Sequence, residues 1–77
     1  MLWKVLQPMS LTKKELTILG HYAQGKTAPE IAKELFVTVQ TIRSHGKGIR
    51  RKLKSKTIAG AVAEGHRRGI LPIQEDK

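Results

Sequence analysis

Seventy-seven residues suffice for one small domain, and the absence of cysteine excludes a disulfide framework and thiolate chemistry. Fifteen Lys and Arg against six Asp and Glu leave a net charge of +9, which points to a polyanion as partner. No apolar run is long enough to span a membrane, and MLWKVLQPMS is too short for a secretory signal, so the expected compartment is the cytoplasm.

The chain opens with residues 1–10, an arm carrying Leu2, Trp3, Val5 and Leu6 in no clean period, closed by Pro8. It reads first as a segment that lays Trp3 and Leu6 over the core, and alternatively as a contact for a partner subunit. A folded domain is expected over 11–71 and a frayed polar tail over 72–77. Its first helix starts at Thr12, an N-cap with Glu15 three residues on to close a capping box, and Leu11 and Leu16 placed for a hydrophobic staple. It runs to about Gln24 and ends at Gly25, with Leu16, Ile18, Leu19, Tyr22 and Ala23 as apolar contacts. Gly20 inside it suggests a close approach of another helix. A second box, Thr27 with Glu30, opens a short helix from Ala28 to Leu35 that buries Ile31, Ala32 and Leu35, with Pro29 harmless in the first turn. Phe36 and Val37 make the turn, and Thr38 caps a third helix.

That third helix, 39–54, sorts into two faces. Ile42, Ile49 and Leu53 fall within about 20° of one direction, a core stripe. Gln40, Arg43, Ser44, Lys47 and Arg51 spread over a roughly 100°-wide arc opposite, with no carboxylate among them. Between Glu34 and Glu64 the chain has no acid at all, yet holds Arg43, Lys47, Arg50, Arg51, Lys52, Lys54 and Lys56. Two helices joined by a short turn, the second long, amphipathic and basic, form a helix-turn-helix pattern suited to the DNA major groove. An anionic membrane surface fits less well, because the apolar side lacks the Trp, Phe and Leu density of an interfacial helix. His45 lies about 60° from the apolar centre, placed for a structural role or a phosphate hydrogen bond. Two glycines, Gly46 and Gly48, cost the helix on the order of 2 kcal/mol of propensity, and Gly46 thins the centre of its buried side.

Thr57 caps a last helix, Ile58 to about Arg68, ending in Gly69 and Ile70 as a Schellman cap. Ile58, Ala61, Val62 and Gly65 share one face, which either packs tightly on the first helix or meets a second copy of itself. His21, His45 and His66 are too scattered for a metal site. No nucleophile–base pair, Gly-rich phosphate loop or cleft carboxylate pair supports catalysis, and neither a cofactor nor a small-molecule ligand site is evident.

The ordered set LTKKE at 11–15, Ala23-x-Gly25, Thr27-x-x-Glu30-Ile31-Ala32-x-x-Leu35, Thr41-Ile42-Arg43-x-His45, Ile49-x-x-Lys52-Leu53 and Arg68-Gly69-Ile70-Leu71 resembles the LuxR-type (GerE-like) helix-turn-helix domain of bacterial transcription regulators. The resemblance spans Leu11 to Leu71. It implies an all-α domain of four helices whose third enters the major groove. Arg43, Ser44 and Lys47 then meet bases, and Thr27, Thr38, Gln40 and Thr41 meet phosphates, joined by His45 and Arg51 from the wheel. The fourth helix then serves as the dimer contact through Ile58, Ala61, Val62 and Gly65, and a homodimer binds a roughly palindromic site in double-stranded DNA. The chain departs from the family at Gly46, where an apolar residue is usual, and at Ile58, Gly65 and His66. Most members attach this domain to a receiver or ligand-binding domain. Its expected role is that of a sequence-specific transcription regulator, with the alternative of a small module that pairs with or blocks another regulator of the same kind.

Overall fold

The computed structural model describes residues 11–71, so the readings of the arm and of the tail lie outside the described residues. Four helices follow in order: α1 Lys13–Ala23, α2 Ala28–Leu35, α3 Val39–Lys52 and α4 Ile58–Arg67. Each begins at a threonine whose hydroxyl accepts a backbone N–H three residues on: Thr12 from Glu15, Thr27 from Glu30, Thr38 from Thr41 and Thr57 from Gly60. The first two also return a glutamate to the cap's own N–H, closing both expected boxes. At Thr38 the place of the glutamate is taken by Thr41, whose hydroxyl lies 2.9 Å from that of Thr38.

The helix ends are equally local in origin. After α4 the N–H of Gly69 donates to the His66 carbonyl and that of Ile70 to the Gly65 carbonyl, the paired bonds of a Schellman motif, with Gly69 at φ 79°. The same pair closes α1 at Gly25, where the N–H of Gly25 donates to Tyr22 and that of Lys26 to His21. After α3, however, the left-handed position falls on Lys54 at φ 55°, and after α2 on Phe36 at φ 59°. The third helix therefore stops at Lys52, two residues short of the expected 54, because Lys54 leaves the helical region.

Ile18 and Leu19 of α1, Ile31 and Ala32 of α2, Ile42 and Ile49 of α3, then Leu53, Ala61 and Leu71 form one buried cluster. Helix α3 packs on each of the other three, while α2 and α4 do not touch. Helices α2 and α4 thus pack on different parts of α1 and α3.

Three expectations change here. Leu16 points outward, 39% exposed, so the staple contributes little at that end. Gly20 marks no close approach, since a Cβ there would meet nothing within 4 Å. The close approach is instead at Gly48, where a Cβ would stand 3.1 Å from the Glu15 carboxylate. Finally, Ala61 is fully buried, and Gly65 is buried where a Cβ would crowd Leu19 and Leu71, so both contact their own domain rather than a second copy. Of the four residues expected at the dimer contact, Ile58 and Val62 keep accessible surface.

Candidate nucleic-acid interface

The outward side of α3 is fixed by what its inward side buries. Ile42 and Ile49 are fully enclosed, so the residues about half a turn away, Arg43, Ser44, Lys47, Gln40 and Arg51, are all exposed. Thr38 holds the start of this face, its hydroxyl 3.1 Å from the Thr41 N–H. Thr27 and Thr38 are exposed, whereas Thr41 and His45 are half-buried.

The two ends of α1 meet opposite flanks of α3. Near its start, Glu15 lies against Gly48 and takes a 2.8 Å hydrogen bond from Lys52 Nζ. Toward its end, Tyr22 lies against Gly46: a Cβ at position 46 would be 3.9 Å from the Tyr22 hydroxyl and 3.6 Å from Ile58 Cδ1. Tyr22 and Ile58 thus stand within ordinary contact of the position a side chain at 46 would start from. Beside it an open cleft of about 500 Å3 is bordered by Tyr22, Arg43, Gly46, Lys47, Arg50 and Ile58. A second groove, of about 540 Å3 and lined in part by Lys14, Ile18, Val37, Thr41 and His45, runs along the other flank.

Of the expected site residues, Gln40, Arg43, Ser44 and Lys47 come together along the first cleft, while Thr41 and His45 border the second groove. Thr27 sits at the head of α2 and closes its own capping box with Glu30. Tyr22 and Arg50 were not among the expected site residues. Arg50 lies seven positions after Arg43, two turns along one face, so the helical period could have found it. Tyr22 comes from another helix, and no local pattern links it to α3.

Charge is sorted as well as placed. Among the described residues every acid is already engaged: Glu15 with Lys52, Glu34 with Lys26 at 2.9 Å, Glu64 with Arg67 and Arg68, and Glu30 with the Thr27 N–H at 2.7 Å. None of them pairs with Arg43, Lys47 or Arg51. Burial pushes the Glu15 carboxyl up, but the hydrogen bonds from Lys52 and Thr12 more than reverse this and hold it below the ordinary value. The Arg67 and Arg68 guanidiniums, hydrogen-bonded to Glu64, bring its carboxyl down to about 2. With the acids of the described residues engaged by structural cations and caps, none of them offsets the cations of the α3 face, as a phosphate backbone requires.

Comparison with known proteins agrees with this geometry. The family described as "Bacterial regulatory proteins, luxR family" matches residues 9–64. The spore germination protein GerE of Bacillus subtilis is 40% identical over 63 residues, covering 82% of this chain and 85% of GerE. The transcriptional regulatory protein LiaR of Bacillus subtilis is 42% identical over 62 residues, 80% of this chain but 29% of LiaR. The probable transcriptional regulatory protein NarL of Mycobacterium tuberculosis is 36% identical over 61 residues, 28% of its length. The chain therefore spans less than a third of LiaR and NarL and most of GerE. These relatives are named as regulators or as a germination protein, and the domain is a DNA-binding one rather than an enzyme. With the capped helix-turn-helix and the acid-free face of α3 in place, the chain belongs to the LuxR family of bacterial regulatory proteins.

Proposed function

We propose that this domain reads a specific double-stranded DNA sequence in the course of transcription regulation, with α3 in the major groove. Arg43, Ser44 and Lys47 meet base edges, Arg43 and Lys47 most naturally at guanines. Thr27, Thr38, Gln40, Thr41, His45 and Arg51 contact the flanking phosphates and set the register. Two copies occupy a roughly palindromic site. The observation that carries this reading is the exposed, cationic face of α3, which no acid of the described residues neutralises. The alternative, a module that only pairs with another regulator, draws less support, because it leaves the exposed cationic face of α3 without a role.

Selection of bound sequences from a random duplex pool, followed by titration at the selected site, tests this. Arg43→Ala is expected to cost about 1–3 kcal/mol there and to broaden the base preference at one position. Arg51→Ala is expected to weaken binding to all duplexes alike and to reduce the salt dependence by about one phosphate contact. An Arg43→Ala, Lys47→Ala protein that binds with wild-type affinity and selectivity would remove α3 from the groove.

A further inference from the structure

The cleft beside Tyr22 and Gly46 has chemically one-sided neighbours. Arg43, Lys47 and Arg50 bring three cations to its edge, and no carboxylate borders it. At its base stands the half-buried ring of Tyr22, packed on the core, with a hydroxyl that makes no hydrogen bond to another described residue. Arg50 is oriented by a 3.1 Å hydrogen bond from its Nη1 to the Lys56 carbonyl, which leaves its other N–H groups available. From these neighbours we infer that the cleft seats one phosphate of the DNA backbone, with the Tyr22 hydroxyl and the Arg50 guanidinium as its hydrogen-bond donors. The inference rests on the DNA-binding reading above and assigns a contact to a helix outside the helix-turn-helix pair.

Geometry favours a backbone phosphate over a base here. The cleft is lined on one side by Gln40, Arg43, Ser44 and Lys47, whereas Tyr22 and Arg50 lie outside the residues assigned to bases and are left for the phosphate wall that passes a helix inserted into the groove. Burial holds the Tyr22 phenol above its ordinary pKa against the nearby charges of Arg43 and Arg50. The hydroxyl is therefore protonated at neutral pH and donates to an anion. Gly46 then has a function: a Cβ there would already stand 3.9 Å from the Tyr22 hydroxyl, so a larger side chain at that position competes with the phosphate for the space beside it.

The test uses the full chain and a duplex carrying its selected site. Tyr22→Phe keeps the packed ring and removes only a hydroxyl that no described residue bonds, so its thermal midpoint should match wild type. Its affinity should fall about tenfold, as for loss of one hydrogen bond to a charged group, with base preference and salt dependence unchanged. Gly46→Leu, which removes no polar atom, should weaken binding by at least as much. Duplexes with single phosphates replaced by neutral methylphosphonates locate the contact: one replacement should weaken wild type and have little further effect on Tyr22→Phe. If wild type binds its site and Tyr22→Phe binds equally well, or if no methylphosphonate position couples to Tyr22, the phosphate seat is wrong while the DNA reading stands. If wild type selects no duplex, the DNA reading fails and takes this contact with it.

Discussion

Glu15 is the residue on which the most separate demands converge. Its carboxylate accepts the Thr12 N–H at 2.9 Å to finish the cap of α1, accepts Lys52 Nζ at 2.8 Å, and lies against Gly48 at the closest approach of α1 to α3. With the side chain of Glu15 11% exposed and that of Lys52 24% exposed, this pair is screened less than a surface bridge. Glu15→Gln keeps an acceptor for Thr12 but strands Lys52, and should cost about 2 kcal/mol, read as a lower urea midpoint with unchanged slope. The pH dependence follows from the sign of the shift. A carboxyl lowered on folding stabilises fully above its ordinary value of 4.5 and loses that contribution as pH falls through its folded value. Glu15 and Glu64 both behave so, Glu64 down to about 2. The thermal midpoint should therefore drop as pH falls below 4.5, and less steeply in Glu15→Gln than in wild type.

At the scale of elements, the turn between α2 and α3 is the part built against local preference. Phe36 takes the left-handed position that glycine usually fills, at φ 59°, and is 93% exposed. Its ring buries almost nothing that could offset the cost of that backbone, of order 1–2 kcal/mol for an L-residue. Phe36→Gly should accordingly raise stability by about 1 kcal/mol in chemical denaturation, and a loss would mean that the ring packs in a way its exposure denies. This turn also marks where the sequence stops being legible. The capping boxes at Thr12 and Thr27, the threonine caps at Thr38 and Thr57, and the Gly25 and Gly69 stops are written in neighbouring residues, so they can be read without the fold. So can the outward face of α3, since three apolar positions fix its rotation. Position 54 could not be read as a stop, because lysine has no general preference for the left-handed region. The Tyr22–Gly46 and Glu15–Gly48 contacts were hidden too, since each joins residues more than twenty positions apart through a missing side chain. The expectation that Ala61 and Gly65 face a partner failed for a related reason. Small residues on a helix mark a close neighbour, but not whether that neighbour belongs to the same chain.

For the whole molecule, the separation of α2 from α4 decides what a dimer can look like. Because the two helices lie apart, a second copy docked on the Val62 side of α4 stays clear of α2, while Ile58 at the start of α4 borders the cleft beside α3. The surface α4 offers is small. Ala61 and Gly65 are turned inward, leaving half-buried Ile58 and Val62 with exposed Ala59 and Ala63 as its apolar part, on a helix of ten residues. Stable dimers generally bury about 1,200 Å2 or more, which ten residues rich in alanine and glycine do not approach. The +9 charge of each copy adds repulsion that DNA, but not water, relieves. The domain should thus sediment as a monomer at micromolar concentration and occupy a two-half-site duplex cooperatively, each bound copy raising the local concentration of the next. Val62→Glu places a charge in that small apolar contact, at a position outside the residues assigned to DNA. It should abolish the cooperativity while leaving affinity for a single half-site as it was. Equal cooperativity in wild type and Val62→Glu would show that the two copies meet elsewhere, and a wild type that sediments as a dimer without DNA would show that the contact is larger than α4.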